Sequence, residues 1–235
     1  GTGWCTMDAL MDFPRERYDR LLRIAKSQHV QMLRAWGGGM PETDDFYELC
    51  DEYGIMVIQE WPTAWNSHNT QPFDMLQETV VRNTKRIRNH PSLVMWGAGN
   101  ESDKPFGPAI DMMGRLSLEL DGTRPFHRGE AWGGSDHNYN CWWDDAHLNH
   151  NLIMTSPFWG EFGIASLPHI ESVERYLAEE KDIWPSREGG HFRHHTPIFG
   201  TMGEFGKLSQ YSGYFMPDTT LAEFIIGSQL SQVVG

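Results

Sequence analysis

The run Val94-Met95-Trp96-Gly97-Ala98 reads as a buried strand, and Asn100 and Glu101 stand just beyond it. A strand covered on both faces is a near-continuous apolar run, so a carboxylate this close belongs at the open end of a parallel sheet. Such ends are where α/β proteins keep their chemistry. Arg34 and Trp36 close one candidate strand, Glu60 and Trp61 the next, and Phe158-Trp159-Gly160-Glu161-Phe162-Gly163 repeats the arrangement, while Trp142, Trp143 and Asp144 sit beyond a later candidate. Two glutamates at different strand ends, with aromatic faces and an arginine nearby, are the minimum apparatus for cleaving a glycosidic bond. One carboxyl gives a proton to the leaving oxygen, and the other places negative charge beneath an oxocarbenium-like transition state. The acid needs a raised pKa, which an ionised neighbour supplies by like-charge repulsion. The plainer reading of each glutamate is half of a salt bridge at a strand end.

Elements with the right rhythm are present to hold these residues. Residues 15–29 carry Tyr18, Leu21, Leu22 and Ala25 on one helical face after Pro14, and 30–36 is strand-like. A short helix is expected over 44–53, stopped by Gly54, and a buried strand over 55–59. A longer helix over 72–89 precedes the strand at 93–96; helices at 110–120 and 170–180 and a strand at 124–128 continue the pattern. Alternation of this kind implies a parallel sheet with crossover helices. A doubly wound sheet would want a glycine fingerprint after its first strand, but Gly37-Gly38-Gly39 leads into Met40-Pro41-Glu42. The expected fold is therefore α/β, a (β/α)8 TIM barrel filling residues 1–235 as one domain.

Composition sets bounds on partners. Thirty-two acidic against 19 basic residues give a formal charge of -13, which opposes a phosphate backbone, so nucleic acid is not an expected partner. No apolar run approaches the length of a membrane span, and no membrane partner is expected. Aromatics make up 12% of the chain, including ten tryptophans, which suits an aromatic-lined sugar cleft as well as a packed core. Cys5, Cys50 and Cys141 are too few and too widely spaced for a disulfide framework or a thiolate zinc site, and read as buried free thiols. His191, His194 and His195 are the other candidate metal ligands, without an acidic or thiol ligand patterned beside them. No metal and no cofactor are expected.

Three extended motifs carry a resemblance: Met32-Leu33-Arg34-Ala35-Trp36-Gly37-Gly38-Gly39, then Asp45-Phe46-Tyr47-Glu48-Leu49-Cys50-Asp51-Glu52-Tyr53-Gly54-Ile55-Met56-Val57, then His90-Pro91-Ser92-Leu93-Val94-Met95-Trp96-Gly97-Ala98-Gly99-Asn100-Glu101. In this order and spacing they resemble the catalytic barrel of glycoside hydrolase family 2, in its β-mannosidase and exo-β-glucosaminidase branch. The resemblance implies a retaining double displacement on terminal β-linked sugars. Glu101 matches the family's acid/base after an Asn at the end of strand four. Gly160-Glu161-Phe162-Gly163 matches the nucleophile context at the end of strand seven; Gly203-Glu204-Phe205-Gly206 repeats it, but Glu161 has the more strand-like approach. Asn100 is expected to bond the sugar 2-hydroxyl and Arg34 to hold the nucleophile ionised. Trp36, Trp61 and Trp159 would offer faces to the ring, and Glu60 would accept from ring hydroxyls.

Measured against that family the chain reads as truncated, with the start of strand one and all of strand eight missing and the β-sandwich domains of the parent chain outside it. Sugar, linkage and compartment are left open. Two other readings stay open: a noncatalytic carbohydrate-binding barrel, and a metal-dependent barrel hydrolase built on the histidines at 191–195.

Overall fold

The structure, a computed structural model, describes residues 1–5, 12–144, 146–180, 184, 190–195 and 202–235. Strands β1 (Thr2–Trp4), β2 (Met32–Ala35), β3 (Met56–Glu60), β4 (Leu93–Gly97) and β5 (Phe126–His127) lie side by side in chain order. Every pairing among them is parallel. Successive strands are joined by α1 (Arg15–Ser27), α2 (Asp44–Tyr53), α3 (Phe73–Ile87) and α4 (Pro108–Leu120), the crossovers that parallel neighbours require. A strand order that never reverses is that of a barrel wall and lacks the switch point of a doubly wound sheet.

Each expected helix and strand in this stretch is present, with its ends moved by at most two residues from the expected bounds. Helix α2 keeps the bounds its pattern implies, because Gly54 takes a left-handed turn (φ 65°) that ends it. Inward faces are apolar at helical spacing: Tyr18 and Leu22 on α1, Phe46, Tyr47, Leu49 and Cys50 on α2, and Leu76, Val80, Thr84 and Ile87 on α3. These pack on Leu33, Val57 and Leu93 of the sheet in one cluster. Burying a side chain of this size is worth about 1.5–3 kcal/mol, so the cluster holds the strand ends in fixed register.

Beyond β5, two strands of different character, β6 (Ser135–Asn138) and β7 (Phe158–Phe162), pair with each other. The chain falls into two compact units, one of residues 1–137 with 156–161, the other of 138–155 with 162–235. The second unit is helical. Its helices α5 (Asn140–Trp143), α6 (Ile170–Leu177), α7 (His191–His194), α8 (Met202–Ser212) and α9 (Leu221–Val234) include a core of Trp142, Val173, Leu177, Tyr211 and Phe224. Thr220 and Glu223 cap α9 reciprocally. Trp142 is thus core and Trp143 ends a short helix, so neither closes a strand.

Cys50 and Cys141 are buried free thiols, as expected, whereas Cys5 is exposed. No helix among the described residues is long and apolar enough to cross a membrane.

Candidate active site

Arg34 organises the open end of the sheet. It lies near the end of β2 in register with Ile58, almost wholly buried, with its guanidinium turned to the strand ends. Nε donates to Glu60 Oε1 at 2.7 Å and Nη2 to Glu60 Oε2 at 3.1 Å, a two-point pairing. Nη2 also donates to Asn100 Oδ1 at 2.7 Å, and Nη1 reaches Glu161 Oε1 at 2.6 Å. One cation therefore ties the ends of β2, β3 and β4 to a residue of β7, 127 positions away. Burial pulls the Arg34 pKa down, but Glu60 and Glu161 more than offset it and leave it raised.

Glu60 is 1% exposed, and its Oε2 also accepts from the Gly37 amide at 2.7 Å. Burial pushes its carboxyl above the ordinary value, against the pull of Arg34. Glycines make the close approach possible: Gly97 is in register with Glu60, and a Cβ there would stand 2.8 Å from Glu60 Cγ. Gly99 has φ 147°, and a Cβ on it would collide with Thr63.

Glu101 follows on an unusual backbone, φ 46°, in the left-handed region that a β-carbon disfavours. Its Oε2 accepts from Trp65 Nε1 at 2.8 Å, and its Oε1 lies 3.0 Å from His137 Nδ1. The His137 hydrogen bond is the main reason its pKa lies below the ordinary carboxylate value, with the Trp65 bond adding to the effect and partial burial opposing it. This is the reverse of the raised acid that like-charge repulsion leads one to expect.

His137 also sits 3.7 Å from Glu161 Oε2. An oxygen of Glu101 and an oxygen of Glu161 consequently lie within 4.8 Å of each other and of the His137 ring nitrogen. Among the described residues this is the one group of three potential metal ligands; Arg34, 2.6 Å from Glu161, already supplies the positive charge a cation would bring. On its other side His137 faces Glu130, 3% exposed, with Nε2 3.8 Å from Glu130 Oε2. Ser135 donates to the same carboxylate. Gly160 admits β7 here, since a Cβ would strike the Glu130 carboxylate.

Beside these groups a cavity of about 480 Å³ is walled by Trp4, Trp36, Met40 and Trp65, with Glu42 at its side. Trp36 and Trp65 meet edge to face at 5.6 Å. The cavity reaches the carboxylates through Trp65, so it adjoins the carboxylates without enclosing them.

Comparison with known proteins agrees with the geometry. Residues 38–150 match the family model for glycosyl hydrolases family 2, TIM barrel domain. The matched stretch is a barrel segment of glycoside hydrolase family 2. A solved β-D-mannosidase from Dictyoglomus thermophilum superposes with a TM-score of 0.85 at 30% identity, over 99% of this chain and 31% of that one. The Bos taurus β-mannosidase is 28% identical over 83% of the chain, and β-mannosidase B of Emericella nidulans 25% identical over 79%. The chain spans 27% of the length of each of these two relatives.

Within this family 2 barrel the structure brings together Arg34, Glu60, Asn100, Glu101 and Glu161. Trp159 lies half-buried on β7, two positions before Glu161 and so on the same face of the strand. Trp61 requires a correction. It is fully buried, stacked on Trp96 at 5.0 Å, and its Nε1 donates to Ser117 of α4 at 3.0 Å, so it presents no face to a sugar. Glu60 is corrected as well: with both oxygens engaged by Arg34 and Gly37, it positions the arginine rather than receiving ring hydroxyls.

The second Gly-Glu-Phe-Gly copy falls inside helix α8, not at a strand end, and the Glu204 side chain lies outside the described residues. Of the histidine cluster, His194 and His195 are exposed and the His191 side chain is likewise outside them. Sequence reasoning missed Trp65, Glu130 and His137. The last lies on a strand spelled Ser-Asp-His-Asn, which offers no apolar pattern to detect.

Proposed function

We propose that this chain carries the reacting centre of a retaining exo-β-glycosidase, β-mannosidase-like in the sugar it removes, with Glu101 as acid/base and Glu161 as nucleophile. The carrying observation is the separation of the two carboxylates, whose oxygens approach within 4.8 Å. Retaining enzymes hold their carboxyl groups about 5–5.5 Å apart, whereas inverting ones need about 6.5–9.5 Å to admit a water. The β-mannosidase relatives support the choice of sugar.

In the first step Glu161, paired with Arg34 at 2.6 Å, attacks the anomeric carbon while Glu101 protonates the departing oxygen. Glu101 must hold a proton at that moment although the His137 bond favours its ionised form. A sugar filling the site strips water from the carboxyl, which shifts it toward the protonated state. Esterification of Glu161 then removes one negative charge beside Glu101, and Glu101, now ionised, takes the proton of the water that releases the sugar. Asn100, whose Oδ1 accepts from Arg34, would bond the sugar 2-hydroxyl.

The test is Glu161→Gly in the full-length protein, assayed on aryl β-mannosides. Hydrolysis should be abolished and partly restored by formate or azide, which stand in for the missing carboxylate. Unchanged turnover would remove Glu161 from the role.

A further inference from the structure

The loop after β3 and the loop after β4 are tied together by more than packing. Asn100 N donates to Thr63 O at 2.9 Å, and Trp65 N to Asn100 O at 3.0 Å. Asn66 Nδ2 donates to Asp103 Oδ2 at 2.9 Å, while Asp103 N donates back to Asn66 Oδ1 at 3.1 Å. Ser102 Oγ lies 3.3 Å from His68 Nδ1, and His68 is buried. Between these ties three non-glycine residues hold positive φ: Trp65 at 49°, Asn66 at 66° and Glu101 at 46°. Asparagine tolerates the left-handed region, but tryptophan and glutamate gain nothing from it. Backbone of this kind persists only where its surroundings over-determine it, and here it occurs in the residue that bears one carboxyl group, in the tryptophan bonded to that group and in the asparagine next to the tryptophan.

We propose that Asn66 and Asp103 form a clamp that sets the orientation of the acid/base carboxyl. The reciprocal bonds hold the left-handed turn at Asn66. That turn directs the Trp65 indole, and Trp65 Nε1 fixes Glu101 Oε2 at 2.8 Å. Asn66 and Asp103 are positioning residues, since neither reaches the reacting carboxylates directly. Trp65 is 61% exposed and Asp103 is exposed, so the clamp is separate from the core that stabilises the barrel. The inference rests on the glycosidase reading of Glu101.

A misplaced acid matters most where the leaving group is poor, because a good leaving group departs with little proton transfer. Asn66→Ala and Asp103→Ala should therefore lower kcat/KM for an alkyl β-mannoside at least about tenfold more than for a dinitrophenyl β-mannoside. Asp103→Asn keeps an acceptor oxygen and should retain most of the alkyl-glycoside activity. Equal losses on both substrates, or none on either, would overturn the clamp. A second readout needs no turnover: in otherwise native protein Glu101→Gln should move the Trp65 indole N–H resonance, and in an Asn66→Ala background it should not. The same displacement in both backgrounds refutes the clamp. If the native protein hydrolyses neither glycoside but Asn66→Ala abolishes the displacement, the clamp stands and the glycosidase reading falls.

Discussion

The ends of β3 and β4 are neighbours in the sheet, and each carries a glutamate under opposite conditions. Glu60 is 1% exposed, bonded by Arg34 and by the Gly37 amide, and burial raises its pKa. The Glu101 side chain is 37% exposed, bonded by an indole and an imidazole, and the imidazole bond lowers its pKa. The first has its oxygens committed to a buried cation, so it can orient Arg34 but has little left to offer a ligand. The second meets partners that leave it open to solvent and to a reactant. Identical residue types at or beyond the ends of neighbouring strands are thus held differently, one sealed and one open, and the difference follows from what each carboxylate is bonded to.

The same substitution at both positions would break this contrast if it is wrong. Glu60→Gln should cost on the order of 3 kcal/mol of stability, read as a lower denaturant midpoint, because it leaves buried Arg34 without the buried carboxylate that pairs with it at two points. Glu101→Gln should leave the midpoint nearly unchanged, since the side chain is partly exposed and an amide oxygen still accepts from Trp65, while turnover of poor-leaving-group β-mannosides collapses. Equal midpoints for the two variants would mean that Glu60 does not support Arg34. His137→Asn sharpens the other half. The His137 bond holds Glu101 on the ionised side, so losing it lets the Glu101 pKa rise. Departure of the leaving group requires the protonated form, so the alkaline limb of the kcat/KM profile should move to higher pH. A limb that moves to lower pH, or stays in place, would remove His137 from control of the acid.

The barrel rhythm was legible because β2, β3 and β4 are buried on both faces and spell apolar runs that end in polar residues. Their ends therefore marked Arg34, Glu60, Asn100 and Glu101 in advance, and β7 marked Glu161. What escaped has a physical reason in each case. His137 lies on a polar strand whose pairing comes from β7 rather than from an apolar face. Trp65 sits in a loop, where position is set by hydrogen bonds to the next loop instead of by periodicity. The lowered acid pKa was illegible because it depends on that unseen imidazole.

Trp61 marks the limit of reading a site from strand ends. It follows Glu60 directly, as Trp36 follows Arg34 by two, yet one indole is sealed in the core and the other walls a cavity. One step of backbone past the strand turns Trp61 to the helix side, where Trp96 and Ser117 receive it. Trp61→Phe should accordingly cost about 1–2 kcal/mol of stability, from one lost hydrogen bond and incomplete filling of the space beside Trp96. Ser117 Oγ retains its own acceptor, Met113 O at 2.8 Å, which keeps the penalty small. KM for β-mannosides should be unaltered, because no sugar touches this ring. A raised KM at unchanged kcat would return Trp61 to the sugar site and erase the distinction between the two tryptophans.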